Sequence, residues 1–143
     1  MFQFSCLPPL SVYVHLPWCV RKCPYCDFNS HVVRGVDQTR YASALVRELE
    51  HMADMCERQH VTSVFFGGGT PSLMEPETVG AVISGIRRLW PWSDQVEITL
   101  AANPTSVEAG KFAAFREPLG RKVDLPPYPS EHQTGRAAGR GRR

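Results

Sequence analysis

The chain has 143 residues, a length that allows one domain, and 43% of them are hydrophobic, enough to support a core. Residues 1–117 carry 10 Lys/Arg and 12 Asp/Glu, whereas residues 118–143 carry 6 and 2, so the formal net charge of +2 is made by the tail and says little about the folded part. Five cysteines and no secretory signal argue against a disulfide framework, and no stretch is long and apolar enough to span a membrane.

Met1–Leu10 lacks the arginine-rich amphipathic character of a transit peptide. The β-branched run Val12-Tyr13-Val14-His15-Leu16 predicts a strand over residues 12–16. Directly after it come Cys19-Val20-Arg21-Lys22-Cys23-Pro24-Tyr25-Cys26, three thiols at C-x3-C-x2-C spacing within eight residues. A structural zinc site ordinarily closes with four protein ligands, so zinc here needs Cys56, His15 or His31 from outside the loop. Three thiolates suit a four-iron cluster that keeps one iron open, and the spacing favours iron–sulfur over zinc. Arg21 and Lys22 inside the loop either offset cluster charge or are simply solvated.

A helix is expected to open near Asp37, with Tyr41, Leu45, Leu49, Met52 and Cys56 at helical spacing. On that stripe Cys56 reads as a small buried hydrophobe rather than a ligand. The next strand, residues 61–66, runs straight into Gly67-Gly68-Gly69-Thr70-Pro71-Ser72. Glycines let the backbone approach a ligand closely, and the proline stops the strand. Neither phosphate fingerprint fits. No Gly-Lys-Ser/Thr follows, and Ser72 stands where a dinucleotide motif needs its third glycine. A second helix starts near Pro76, buries Val79, Val82, Ile83 and Ile86, and is stopped by Pro91. A third strand covers residues 96–100 and leads to Asn103-Pro104. A third helix is then marked by Thr105 and Glu108 as a capping box before Val107, Phe112 and Phe115.

Three successive β/α units predict an α/β fold with a parallel sheet and right-handed crossovers. The cysteine loop, the glycines and Asn103-Pro104 each follow a strand. All three therefore emerge at the carboxyl edge of the sheet, where parallel α/β folds place their ligands.

The motifs Tyr13-Val14-His15-Leu16-Pro17-Trp18-Cys19, Cys23-Pro24-Tyr25-Cys26-Asp27-Phe28, Gly67-Gly68-Gly69-Thr70-Pro71-Ser72 and Asn103-Pro104 occur in the order found in coproporphyrinogen oxidase-like radical S-adenosylmethionine (SAM) proteins. The resemblance covers roughly residues 11–117. Coproporphyrinogen oxidases themselves carry a further cysteine two residues after the third cluster ligand. Phe28 stands there in this chain, so it resembles the HemW-like branch, regarded as heme chaperones, whose vertebrate members are mitochondrial radical SAM domain-containing proteins.

The resemblance implies a partial β/α barrel of about six units, of which this chain holds the first half. It implies a [4Fe-4S] cluster on Cys19, Cys23 and Cys26, with SAM chelated to the open iron. Tyr25 would flank the adenine, Tyr13 would line the SAM site or pack in the core, and Gly68, Gly69 and Thr70 would meet the methionine end of SAM. Gly67 is geometric. Heme is a third candidate ligand, with His15 either its iron ligand or hydrogen-bonded structure. A heme-accepting client protein and an electron donor are the implied partners, and the implied location is the mitochondrion, with the cytoplasm as alternative. An oxidoreductase acting on a porphyrinogen and an inactive truncated form are the competing readings. Relatives read Glu-Ala-Asn-Pro at the end of strand three, and the glutamate helps hold the SAM ribose. This chain has Ala101-Ala102-Asn103-Pro104.

From Pro118 the chain departs from that pattern, with Pro126-Pro127-Tyr128-Pro129 and closing Gly-Arg repeats. Such composition predicts a disordered tail over residues 118–143. Arg-Gly repeats this short give no specific nucleic-acid partner. The three units of residues 11–117 would then leave a bare sheet edge after strand three.

Overall fold

The computed structural model describes residues 6–22, 24, 26–56, 59–102, 114–115 and 123–124. In chain order the elements are β1 (Leu10–Leu16), β2 (Trp18–Cys19), β3 (His31–Val32), α1 (Gln38–Met55), β4 (Val61–Gly68), a 3-10 turn (Pro71–Leu73), α2 (Pro76–Leu89), β5 (Trp92–Leu100) and β6 (Val123–Asp124). A four-stranded sheet has the order β1-β4-β5-β6, every pair parallel, and β2 and β3 form a separate parallel pair. The expected α/β architecture is present.

Strand alternation gives the sheet two unlike faces. Val14, Leu16, Val64, Phe66, Ile98 and Leu100 point to one side and are buried. There they meet Val79, Val82, Ile83 and Ile86 of α2, the four residues the sequence periodicity assigns to its inner face. Pro76 opens this helix and Trp90 closes it just before Pro91. Gly85 lets α1 come close, since a Cβ there would stand 3.1 Å from the Val46 side chain.

Asp37 caps α1 through a side chain that accepts from the Arg40 N–H at 2.9 Å. The lower part of the α1 stripe differs from expectation. Tyr41, Leu45, Leu49 and Ala53 pack against the core, whereas Met52 is 42% exposed. Steps of four residues lead from Leu49 to Ala53, and the helix ends before the stripe can continue. Cys56 is therefore the half-buried C-cap residue, its N–H donating to the Met52 carbonyl at 3.0 Å, and lies outside the core. β4 and β5 are longer than their predicted spans, and the short β2/β3 pair has no sequence signal.

Residues 114–115 are helical and Phe115 is fully buried in the core. Asn103, Pro104, Thr105, Val107, Glu108 and Phe112 lie outside the described residues. Val123 and Asp124 fall in the stretch read as tail, yet they pair with Ile98 and Thr99 of β5. The third long strand thus has a neighbour along this stretch and its edge is not bare there. The other positions of 118–143, like Met1–Ser5, lie outside the described residues.

Tyr41 anchors α1 to β1. Its hydroxyl donates to the His15 carbonyl, and its ring meets Trp18 edge-on at 4.6 Å. Burial raises the Tyr41 pKa above its ordinary value of 10.0. A raised pKa favours the protonated form in the fold, so this contribution is complete below pH 10 and is lost as pH rises through the folded value. Wild-type stability should therefore fall more steeply above about pH 10 than that of Tyr41→Phe, whose hydroxyl loss should cost about 0.5–1.5 kcal/mol at neutral pH. Denaturant melts of both proteins at pH 7–11 would show it.

Ile83→Ala should lower stability by about 2–4 kcal/mol through an unfilled cavity, and Met52→Ala should stay within about 0.5 kcal/mol. Urea titration separates the two, and a comparable loss in both would mean that the Met52 end of α1 is packed after all.

Candidate functional site

The cysteine and glycine segments meet at the carboxyl edge of the sheet. Cys19 lies in β2 and is buried, and Cys26 is half-buried with its Sγ 3.9 Å from the Ser30 hydroxyl. Cys23 and Tyr25 lie outside the described residues. Cys6, Cys19, Cys26 and Cys56 are all free thiols.

The segment between β2 and β3 is tied back on itself. Trp18 pairs with His31 and Cys19 with Val32, and the His31 N–H donates to the Pro17 carbonyl at 2.8 Å. Lys22 reaches across, its ammonium donating to the carbonyls of Ser30 at 3.3 Å and Phe28 at 3.5 Å. Lys22 is thus tied to the loop rather than simply solvated, and Arg21 is exposed. Ser30 is buried and satisfied, with its N–H and hydroxyl both directed at the Phe28 carbonyl.

Gly69 presses directly on this loop. A Cβ on Gly69 would lie 2.2 Å from the Trp18 carbonyl oxygen and 3.0 Å from the Cys19 Sγ. Its N–H donates to the Leu16 carbonyl at 2.6 Å, and the Thr70 N–H donates to the Trp18 carbonyl at 3.0 Å. Both N–H groups are therefore spent inside the protein. The Thr70 hydroxyl makes no capping bond to the 3-10 turn. With both N–H groups used, the segment lacks the free backbone donors that a phosphate-binding loop presents at these two positions. Gly68 has φ +101°, a conformation that favours glycine, and its Cβ would strike the Leu16 carbonyl at 2.6 Å. Gly67 is buried, and its Cβ would stand 2.6 Å from the Phe65 ring and 2.9 Å from the Tyr13 ring, which agrees with a geometric role.

Tyr13 is on the sheet face away from the helices, 55% exposed, and stacks on Phe65 with centroids 6.0 Å apart. Core packing is therefore not its role. On this face Tyr13, Phe65 and Thr99 form one cross-strand row, and His15 and Gly67 pair in the row above. Ala101, one step past the paired Phe66 and Leu100, extends that upper row, and its N–H donates to the Phe66 carbonyl at 3.0 Å. His15 is hydrogen-bonded on both ring nitrogens, to the Tyr13 hydroxyl at 3.1 Å and the Asn29 carbonyl at 2.9 Å. Phe28, where a fourth cysteine would stand in a coproporphyrinogen oxidase, is 53% exposed.

Sequence reasoning missed several supports of the site. Ser30 beside Cys26 has no motif signal. Gln38 joins α1 to the segment after the glycines, its side-chain amide donating to the Leu73 carbonyl at 3.2 Å and its oxygen accepting from the Glu75 N–H at 2.7 Å. A polar residue at the first position of an otherwise amphipathic helix is too common a pattern to have marked it. The short β2/β3 pairing was equally invisible.

The chain matches the Radical SAM superfamily over residues 13–124. It is 43% identical over 120 residues to the heme chaperone HemW of Escherichia coli (strain K12), an alignment covering 83% of this chain and 32% of that protein. It is also 43% identical over 105 residues to the mitochondrial radical S-adenosyl methionine domain-containing protein 1 of Bos taurus, covering 73% of this chain and 24% of that one. Among solved structures, coproporphyrinogen III oxidase (HemN) from Escherichia coli superposes with a TM-score of 0.69 at 28% identity, over 82% of this chain and 27% of that chain. The chain thus spans about a third or less of the length of these relatives. With its parallel sheet and its cysteine and glycine segments in contact at the sheet edge, the chain belongs to the radical SAM superfamily.

Proposed function

We propose that this chain is the cluster- and SAM-binding portion of a HemW-like heme chaperone, with Cys19, Cys23 and Cys26 holding a [4Fe-4S] cluster. The contact of Gly69 with the Cys19 strand carries this reading, because it joins the two segments that the two ligands require. The donor set fits such a group. Cys19 is buried and Cys26 half-buried in the segment that the β2/β3 pairing closes, and three thiolates would leave one iron for a ligand that is not protein. SAM bound to a reduced cluster supplies one-electron chemistry, which the cofactor carries.

What the chain supplies is placement. Gly68 and Gly69 bring backbone close to the cluster loop, and the Thr70 hydroxyl with nearby carbonyl oxygens offers acceptors for the SAM amino group. Tyr13 would line the ligand from the open sheet face, and Tyr25 would flank the adenine. The chaperone role, with heme passed to a client protein, is supported by the names of the bacterial relatives. Phe28 favours it over a coproporphyrinogen oxidase, whose extra cysteine is lacking, although the structural neighbour is such an enzyme. A mitochondrial location is supported by the names of the vertebrate relatives, and an electron donor completes the set of partners.

Anaerobic reconstitution with iron and sulfide tests the metal site. The wild-type chain should take up about four irons with matching labile sulfide, as three thiolates around one cubane require. Cys23→Ser should abolish the brown chromophore, while Cys56→Ser, at the helix C-cap, should keep it. Stoichiometric zinc without sulfide would overturn the assignment.

Ala101 should weaken SAM binding, because a carboxylate there would reach the open face beside Gly67. Ala101→Glu is expected to tighten SAM binding by about 1–3 kcal/mol, roughly tenfold or more, in equilibrium dialysis with the reconstituted protein. An unchanged affinity would move the ribose contact elsewhere.

A further inference from the structure

We propose, on the basis of the cluster-binding reading above, that His15 is a positioning residue for the cluster loop and no ligand of heme iron. Four contacts converge on it, one from its own strand and three from elsewhere in the chain. Its Nε2 faces the Asn29 carbonyl at 2.9 Å, and a carbonyl oxygen only accepts, so Nε2 carries the proton. In the neutral ring Nδ1 is then the acceptor, and it takes the Tyr13 hydroxyl at 3.1 Å. Both nitrogens are committed and neither lone pair is left for a metal.

The ring also fills the space that glycine leaves at position 68. A Cβ on Gly68 would lie 2.8 Å from both Cε1 and Nδ1 of the imidazole. The main chain contributes a fourth tie, the His15 carbonyl accepting from the Tyr41 hydroxyl of α1. Asn29 lies three residues past Cys26, beyond the reach of the β2/β3 pairing, which begins at His31. The imidazole therefore tethers the distal end of the cysteine loop to β1 and at the same time sets the orientation of Tyr13 on the open face.

Substitutions separate the two ring nitrogens. Glutamine reaches about as far as Nε2 and can donate to the Asn29 carbonyl. Asparagine reaches only as far as Nδ1 and can accept from Tyr13 but cannot span to the loop. The metal-free 143-residue chain would be treated with trypsin, and cleavage after Arg21 and Lys22 followed by mass spectrometry. The same variants would then be reconstituted anaerobically, and the EPR spectrum of the reduced cluster recorded.

His15→Asn and His15→Ala should raise loop cleavage roughly three- to tenfold, the weight of one hydrogen bond, and broaden or shift the EPR signal. His15→Gln should restore both to near wild type. Equal cleavage in all variants, or a His15→Gln chain that behaves like His15→Ala, would overturn the tether. Should His15→Ala fail to fold, the Gln and Asn pair decides the matter alone. Loss of heme binding in His15→Gln, measured by the Soret band, would assign the imidazole to iron and overturn the proposal. The proteolysis needs no metal, so a chain that never takes up a cluster would defeat the cluster reading while the cleavage pattern still decides the tether.

Discussion

The site depends on a missing carbon atom. Gly69 lies so near the Trp18 carbonyl and the Cys19 sulfur that no other residue fits without moving the backbone of one segment or the other. Two N–H bonds, from Gly69 to Leu16 and from Thr70 to Trp18, fasten the same junction. Buried backbone donors require partners, and here they find them in the end of β1 and in Trp18, the residue before Cys19. The glycine segment is thereby as much a wall of the cysteine loop as a surface for a second ligand. Any displacement of one is passed directly to the other, because only close-packed atoms lie between them.

Around that junction the sheet divides the labour. The buried face is ordinary α/β packing, with apolar residues of three strands against α2 and the α1 stripe. The opposite face carries Tyr13 and Phe65 as large exposed rings, with polar Ser11, Ser63 and Glu97 one row further from the site. Exposed aromatic surface of this kind marks a place where something else belongs. The chain spans about a third or less of the relatives named above, and in a β/α barrel this face would be the interior.

Much of this was legible from the residues themselves. Regular alternation in Val12–Leu16 and the run before Gly67 marked the strands, and Asp37 and Pro76 marked the helix starts. Val79, Val82, Ile83 and Ile86 fell on the buried side as their spacing required. The chain order of cysteines and glycines, each placed after a strand of a parallel sheet, is enough to bring both to one edge. Other features were hidden because they depend on contacts without period. Cys56 continues a helical stripe in the sequence, but the helix ends at Met55 and leaves it as a cap. Val123–Asp124 has no pattern in a segment rich in proline and arginine, and its place beside β5 is a matter of tertiary pairing. Gln38 and the His15–Asn29 bond join residues distant enough that no local rule relates them, and Ser30, though close in sequence to Cys26 and Phe28, sits in an irregular segment with no period to mark it.

The parallel order of the sheet also sets a timetable. During synthesis the cysteines leave the ribosome first, and the strand that will cover Cys19 follows only after the whole of α1 has been made. A parallel pair cannot close as a hairpin, so β1 must wait for β4. Until then the thiols stand open on a nascent segment, accessible to oxidants and to stray metal ions. Domains fold as their parts emerge, and Cys19, the buried thiol, is covered only once the β1–β4 ladder has closed. Gly69 follows directly after β4, so the residue that fits most tightly over Cys19 comes only once that strand is complete. Quality control of such a chain has its most vulnerable interval in the time taken to translate one helix.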